Sequence, residues 1–465
     1  MSAVHTSKSV FQKSVTASLM VLSLCSGCAL PRVVPDMKFS DTNEVRLEDG
    51  HGPLSVQKSR EILSRLKEGQ DKNLLERHLA VEEAIAGSPL IVGNKLTLLQ
   101  DGPTTYQAMF AALRNARDHI NFETYIFEAD EVGQRFADLL IEKQKSGVQV
   151  NLIYDSVGAM NTPKEFFQRL TDSGIKVLEF NPINPLALKK GWQVNQRDHR
   201  KLLIIDGKIA FLGGINISSV YSGGSFKQHT KVRPNGPPWR DTHLQLEGPV
   251  VGELQKLFLN TWARQKADPL APRTYFPPLT NKGSEIVRAI GSAPEAPYNL
   301  IYATFISAIN SAESAVHITN AYFVPDQQLR TALINAAQRG VDVKLILPST
   351  TDSWPVLHAG QAYYDELLAG GVKIYERRGA LLHVKSAVLD GVWSTVGSTN
   401  LDWRSLLHNE EINAVILGAD FAAQVEAVFQ ADLATSTQIT LEAWRQRSLD
   451  RRIKELLGKM WAYWL

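Results

Sequence analysis

His199-Arg200-Lys201-Leu202-Leu203-Ile204-Ile205-Asp206-Gly207 and His383-Val384-Lys385-Ser386-Ala387-Val388-Leu389-Asp390-Gly391 are two copies of one pattern, 383 − 199 = 184 residues apart. Each has a His and a Lys two residues apart, four further residues, then Asp. Each is followed by a small-residue turn ending in Asn, as Gly213-Gly214-Ile215-Asn216 and Gly397-Ser398-Thr399-Asn400. A carboxylate then comes two residues before a polar side chain, in Asp241-Thr242-His243 and Glu411-Ile412-Asn413. A single copy is equally well explained as a surface hairpin with a solvated Lys, because short motifs match by chance. Two copies, each with the turn, the Asn and the trailing acid, point to one site built from two related halves.

The local pattern predicts strand, turn, strand in each copy. Leu202 to Ile205 and Ala387 to Leu389 are apolar runs, and Ile209 to Leu212 and Trp393 to Val396 follow them. Asp-Gly between such runs is a tight hairpin signal. Residues i and i+2 of a strand share a face, so His199 and Lys201 point one way, as do His383 and Lys385. The Asp at each turn is better placed to hold the loop than to react, yet it belongs to the motif; Asp206 and Asp390 therefore stand in the expected catalytic set with His199, Lys201, His383 and Lys385.

Working outward, strands and helices alternate. His119 to Phe127, Gly133 to Lys145 and Val148 to Tyr154 read as strand, helix, strand, matched by Val316 to Val324, Gln328 to Arg339 and Val341 to Leu347. A second unit follows in each half, Phe166 to Leu178 and Tyr363 to Tyr375. The fold class expected is α/β: two related halves, each a mixed β-sheet flanked by helices, with the active site at their interface. The expected boundaries are a signal or lipoprotein-like segment over 1–28 and an N-terminal extension with a polar helix over 29–95. Half one spans 96–268, a Pro-rich linker 269–300, half two 301–440, and a basic amphipathic C-terminal helix 441–465.

The residue types suit phosphoryl chemistry. A His nitrogen can act as nucleophile and a second His can protonate a leaving group. Each imidazole needs a carboxylate to hold its tautomer; the trailing acids suggest Asp241 for His199 and Glu411 for His383. Two Lys ammonium groups and two Asn amides, Asn216 and Asn400, are donors that can converge on phosphoryl oxygens. The set implies phosphoryl transfer through a phosphohistidine. No metal and no cofactor is expected, since the His residues lack close ligand spacing and no phosphate-loop or dinucleotide fingerprint is present.

These residues resemble the duplicated H-x-K-x4-D mark of the phospholipase D superfamily. Within it the chain is similar to the bacterial cardiolipin synthases, on Asn195 to Lys201, Trp239 to His243 and Val396 to Asp402. The resemblance covers roughly residues 90 to 445. It implies that His199 attacks phosphorus, that His383 protonates the departing oxygen, and that Lys201, Lys385, Asn216 and Asn400 bind phosphate. It also implies phospholipid substrates, phosphatidylglycerol foremost. Phospholipid hydrolysis and nucleic-acid cleavage are the rival activities on the same site, and an inactive envelope scaffold is the rival of another class.

Composition bounds the reading. The 465 residues are 44% hydrophobic and 21% charged, with a formal charge of +2. That is an ordinary globular balance, and near-neutrality disfavours a nucleic-acid partner. Lys8 and Lys13 precede an apolar stretch from Val15 to Leu24, too short to span a bilayer as a helix. It reads as a secretory signal, and Gly27-Cys28 resembles a lipoprotein cleavage box with Cys28 lipidated. At the other end Leu449, Ile453, Leu456, Met460 and Trp464 recur at helical spacing among Arg451, Arg452, Lys454 and Lys459. This suits a membrane surface, or a helix docked on the protein itself. The location expected is the bacterial envelope. The basic loop within Ser218 to Pro238 and the mixed loop Pro182 to Trp192 are candidate headgroup or lipid contacts.

Overall fold

Leu202 to Ile205 are all apolar because the strand they form is covered on both faces. The structure is a computed structural model that describes residues 45–66, 74–75, 77–79, 82, 88–183, 195–223 and 238–462. Lys201–Ile205 is an interior strand, with Leu202 and Ile204 in one hydrophobic core and Leu203 and Ile205 in another. That is the two-residue alternation of a pleated strand buried on both sides.

The two halves use one strand order. In the first, neighbours run Lys176–Phe180, Gln149–Asp155, His119–Thr124, Lys201–Ile205, Ile209–Gly213, His243–Glu247. In the second they run Lys373–Arg377, Asp342–Pro348, Ala315–Asn320, Lys385–Leu389, Trp393–Gly397, Asn409–Leu417. The first three strands of each are parallel; the motif hairpin and the strand after it are antiparallel. The crossover helices start alike: Asp130 caps Glu131–Lys145 by accepting from the Gly133 amide, and Asp326 caps Gln327–Gln338 through the Leu329 amide. The α/β class with two mixed sheets is therefore as expected.

The halves are joined edge to edge. Leu90–Leu99 pairs through Lys95 to Leu99 with His243–Glu247, and through its other end with Glu285–Ser292, which lies against Asn409–Leu417. The strand passes from one partner to the other at Gly93, whose φ of +87° suits glycine, and at Asn94. The Asn94 amide donates to the Ile91 and Glu285 carbonyls, and its Oδ1 accepts from the Val250 amide. A shared core draws Leu202, Leu212 and Leu244 from one half and Val388, Val396 and Ile412 from the other.

Two expected boundaries need correction. The stretch 269–300 is not linker throughout: residues 269–284 carry no helix or strand, but Glu285–Ser292 is a central strand. Prolines at 277, 278, 294 and 297 bracket it and mask its apolar content. Sheet pairing also begins before residue 96, since Leu47–Asp49 lies parallel to the start of Leu90–Leu99. The polar helix is seen at Val56–Leu66. Beyond it His78 and Glu82 reach into the second half. His78 Nε2 lies 3.0 Å from Asp390 Oδ2, while Glu82 accepts from Arg288 and, at 2.9 Å, from the Trp393 indole.

Candidate active site

Each motif begins where a short strand crosses to the other half. Arg197–Asp198 pairs parallel with Asn409 and Glu410, and Trp239–Arg240 pairs parallel with Leu381–Leu382. The His199 amide donates to the Glu410 carbonyl at 2.9 Å, and the His383 amide donates to the Arg240 carbonyl at 2.8 Å. These are equivalent bonds, each to the residue just before a motif acid of the opposite half. They set the side-chain partners. His199 Nδ1 donates to Glu411, 3.0 Å from Oε1 and 3.1 Å from Oε2. His383 Nδ1 lies 2.6 Å from Asp241 Oδ2. The pairing read from sequence, Asp241 with His199 and Glu411 with His383, is thus corrected: each His takes the acid of the other half. The acids are themselves held. Glu411 accepts from the Ser398 hydroxyl and the Asn409 amide, and Asp241 Oδ1 accepts from the Thr242 amide at 2.8 Å.

The carboxylates occupy Nδ1 of both rings, so Nε2 is the atom left for chemistry. Lys201 Nζ donates to the His199 carbonyl and Lys385 Nζ to the His383 carbonyl, both at 2.6 Å. Tyr125 stands edge-on to His199 and Tyr322 edge-on to His383, with ring centroids 5.0 and 6.0 Å apart. Lys201 lies over the first Tyr ring and Lys385 over the second. Asn216 is engaged in the fold: its Oδ1 accepts from the Ile126 amide and its Nδ2 donates to the Tyr221 hydroxyl. Asn400 is buried, and its Oδ1 has no partner among the described residues.

Asp206 and Asp390 stand apart from this set, which corrects their inclusion among the catalytic residues. Each sits at the far end of its motif strand, at φ 52°, followed by a Gly at φ 62° or 64°. Two successive positive φ values are what a tight hairpin of this kind demands. Asp206 accepts from the amides of Arg117, Asp118 and His119. Asp390 accepts from the amides of Glu313, Ser314 and Ala315 and bonds His78. Both carboxylates fasten the hairpin to the neighbouring strand and face no reacting group.

Burial governs the electrostatics. It pushes Lys201 down to about 7, with Lys385 adding to the effect, and pushes Lys385 down to about 8 against the pull of Asp241 and Glu411. Burial, then Lys201, Lys385 and His383, hold the His199 imidazole well below its usual range, so its ring nitrogen is free at neutral pH. His383 is lowered by burial and Lys385, while Asp241 pulls the other way. Burial pushes Glu411 up to about 7. The centre is a buried, Lys-rich cluster suited to an anion that restores the suppressed positive charge.

Sequence reasoning missed the crossing strands, the Ser398 donor and Tyr221, whose hydroxyl lies 3.3 Å from His383 Nδ1 and bridges to Asn216. The matching positions of Tyr125 and Tyr322 were the available signal for the two aromatic walls. Among the described residues no group of three His, Cys, Asp or Glu side chains is placed to hold a metal ion. Cys28 with its signal segment, residues 184–192 and 224–237 of the two candidate loops, and Trp464 lie outside the described residues.

Comparison with known proteins gives a consistent answer. The family model described as "Cardiolipin synthase, PLD-like domain" matches residues 109–222 and 305–433, one block per half. The cardiolipin synthase of Geobacillus sp. (strain WCH70) is 35% identical over 384 residues, covering 82% of this chain and 74% of that protein. Cardiolipin synthase 1 of Bacillus anthracis is 34% identical over 409 residues, covering 85% and 78%. Among solved structures, phosphatidylserine synthase from Haemophilus influenzae Rd KW20 superposes with a TM-score of 0.62 at 14% identity, over 82% of this chain and 96% of that one, a likeness of fold.

Proposed function

The chain belongs to the cardiolipin synthase, phospholipase D-like family, and from that premise we propose that it transfers a phosphatidyl group between two phospholipids through a histidine-bound intermediate. It is a phosphatidyltransferase, with phosphatidylglycerol as the donor of choice. His199 Nε2 attacks phosphorus; the bond to the headgroup oxygen breaks, and His383 gives that oxygen its proton. The hydroxyl of a second lipid then loses its proton to His383 and attacks the phosphohistidine, which frees His199. Lys201 and Lys385 hold the non-bridging oxygens, whose charge grows in the transition state. The acids Glu411 and Asp241 keep Nδ1 protonated and the rings oriented.

The observation that carries this reading is the pair of crossed His–carboxylate contacts, with Lys201, Lys385 and His383 all near enough to act on the buried His199 ring. The substrate places the protein at a bacterial envelope membrane. Among the described residues no helix is long and apolar enough to cross one. The test is mass spectrometry of lipid products from purified protein and phosphatidylglycerol in detergent. Cardiolipin with free glycerol is expected, and phosphatidic acid as the sole product would make the protein a hydrolase. Neither product would remove the lipid reading. His199→Ala abolishes turnover with the fold intact; full activity in that variant removes His199 from the mechanism.

A further inference from the structure

The helix Leu449–Trp461 is docked with its polarity inverted. A surface helix ordinarily turns its apolar stripe toward the protein. Here the buried positions are Glu455 and Gly458, followed by Ala462. Glu455 forms a two-point ion pair with Arg447, at 2.6 and 2.7 Å. Gly458 lies so close to the helix Trp354–Gln361 that a Cβ there would be 2.5 Å from the Ala359 nitrogen. The apolar side chains face outward: Leu449 is 72% exposed, Met460 71% and Trp461 61%, with Ile453, Leu456 and Leu457 also exposed. Most of the large exposed hydrophobic side chains among the described residues are on this one helix.

One flank of the stripe is basic. Arg452 and Lys459 line a groove of about 420 Å³ beside the helix, together with Arg445 and Arg447 and facing Asp365 and Glu455. Asp365 pairs with Arg445 and Glu455 with Arg447, so the net positive charge comes from Arg452 and Lys459. The underlying helix Trp354–Gln361 follows directly on Asp352, which accepts from the Tyr322 hydroxyl, and Tyr322 is the ring beside His383. The outward stripe is therefore one helix away from the catalytic wall.

We propose that Leu449–Trp461 is a docking helix for an anionic lipid bilayer. It lies in the plane of the interface, with Leu449, Ile453, Leu456 and Met460 in the acyl boundary and Arg452 and Lys459 against lipid phosphates. An apolar stripe flanked by cations matches that boundary on both its layers. The proposal deepens the phosphatidyltransferase reading and rests on it for the nature of the surface.

The test uses the full chain carrying Cys28→Ser, so that lipidation cannot hold it to vesicles. Bound fraction is measured by sedimentation with vesicles of phosphatidylcholine alone and of phosphatidylcholine mixed with phosphatidylglycerol; turnover is measured on detergent-dispersed phosphatidylglycerol. Leu456→Glu with Met460→Glu lowers binding to the anionic vesicles by about tenfold or more. Arg452→Glu with Lys459→Glu removes the preference for them. Both variants keep the parent's detergent turnover and melt close to it, since all four side chains are exposed and only the contacts of Arg452 with the Arg445 carbonyl and of Lys459 with the Tyr363 ring are lost. Unchanged vesicle binding in both overturns the proposal. So does a shift from dimer to monomer in size exclusion with binding unaltered, which would make a second copy the occupant. Intact, variant-sensitive binding with no turnover in the parent would uphold the docking helix and sink the transferase reading instead.

Discussion

At the scale of single residues, the crossed contacts of His199 with Glu411 and of His383 with Asp241 decide how the site works. Glu411→Gln removes the charge beside His199 and offers its Nδ1 an amide donor that favours the wrong tautomer, so turnover falls on the order of 10³–10⁴-fold, as when a triad carboxylate is neutralised. The partner assignment has a readout that activity lacks. In nitrogen-resolved NMR, Glu411→Gln shifts the His199 ring signals and Asp241→Asn those of His383; the opposite pattern would restore the uncrossed pairing. Lys201 and Lys385 supply a pH test. Their folded values, about 7 and 8, lie below the ordinary 10.5, so the fold disfavours the charged ammonium. In the empty enzyme positive charge is lost as pH rises through 7 to 8, so KM rises over that interval. Below it each ammonium costs stability, a cost relieved as pH climbs toward 10. Lys201→Met therefore raises the melting temperature at pH 6 while lowering kcat/KM about 10²–10³-fold. A lowered melting temperature in that variant would show that the ammonium stabilises the fold.

At the scale of elements, the motif hairpins and the terminal helix make separate predictions. Asp390→Ala leaves at least three backbone amides without their acceptor, at about 1–3 kcal/mol for each buried group. The variant melts lower, while turnover per folded molecule stays within a few-fold of the parent. Loss of turnover at an unchanged melting temperature would return Asp390 to the chemistry. His78 and the amides hold this carboxyl well below its usual range. Its contribution is therefore full above pH 4 and is lost as acid protonates it. Gly458 predicts the reverse kind of damage. Gly458→Leu drives a side chain into the backbone of Trp354–Gln361 and releases the docked helix. Limited proteolysis then cuts before Leu449 in the variant and spares the parent.

At the scale of the whole molecule, neither half can complete a His–acid pair alone. The halves also share strand pairing at Leu90–Leu99 with Glu285–Ser292, and the buried Arg240 reaches Asp432 across the boundary. Breaking the chain where no element crosses should therefore do little. With a protease site inserted at the exposed Pro272, the cleaved protein is expected to elute as one particle in size exclusion and to keep most of its turnover. Separated in denaturant and refolded apart, neither piece turns over; activity in one isolated piece would contradict the shared site.

Read alone, the chain reveals the motif strands, their Asp-Gly turns, the alternating crossover helices and the two imidazole–ammonium pairs. Each of these depends on neighbours within about ten residues, where periodicity and turn chemistry act. It left Glu285–Ser292 hidden between prolines, because proline punctuation says where order stops and not what lies between the stops. Which acid serves which His emerges on folding, since Glu411 is 212 residues from His199 and no local period reaches that far. Folding also settles which way the terminal helix faces: spacing reveals that an apolar stripe exists, but the side turned to the protein is the one where Gly458 allows close approach and Glu455 finds Arg447.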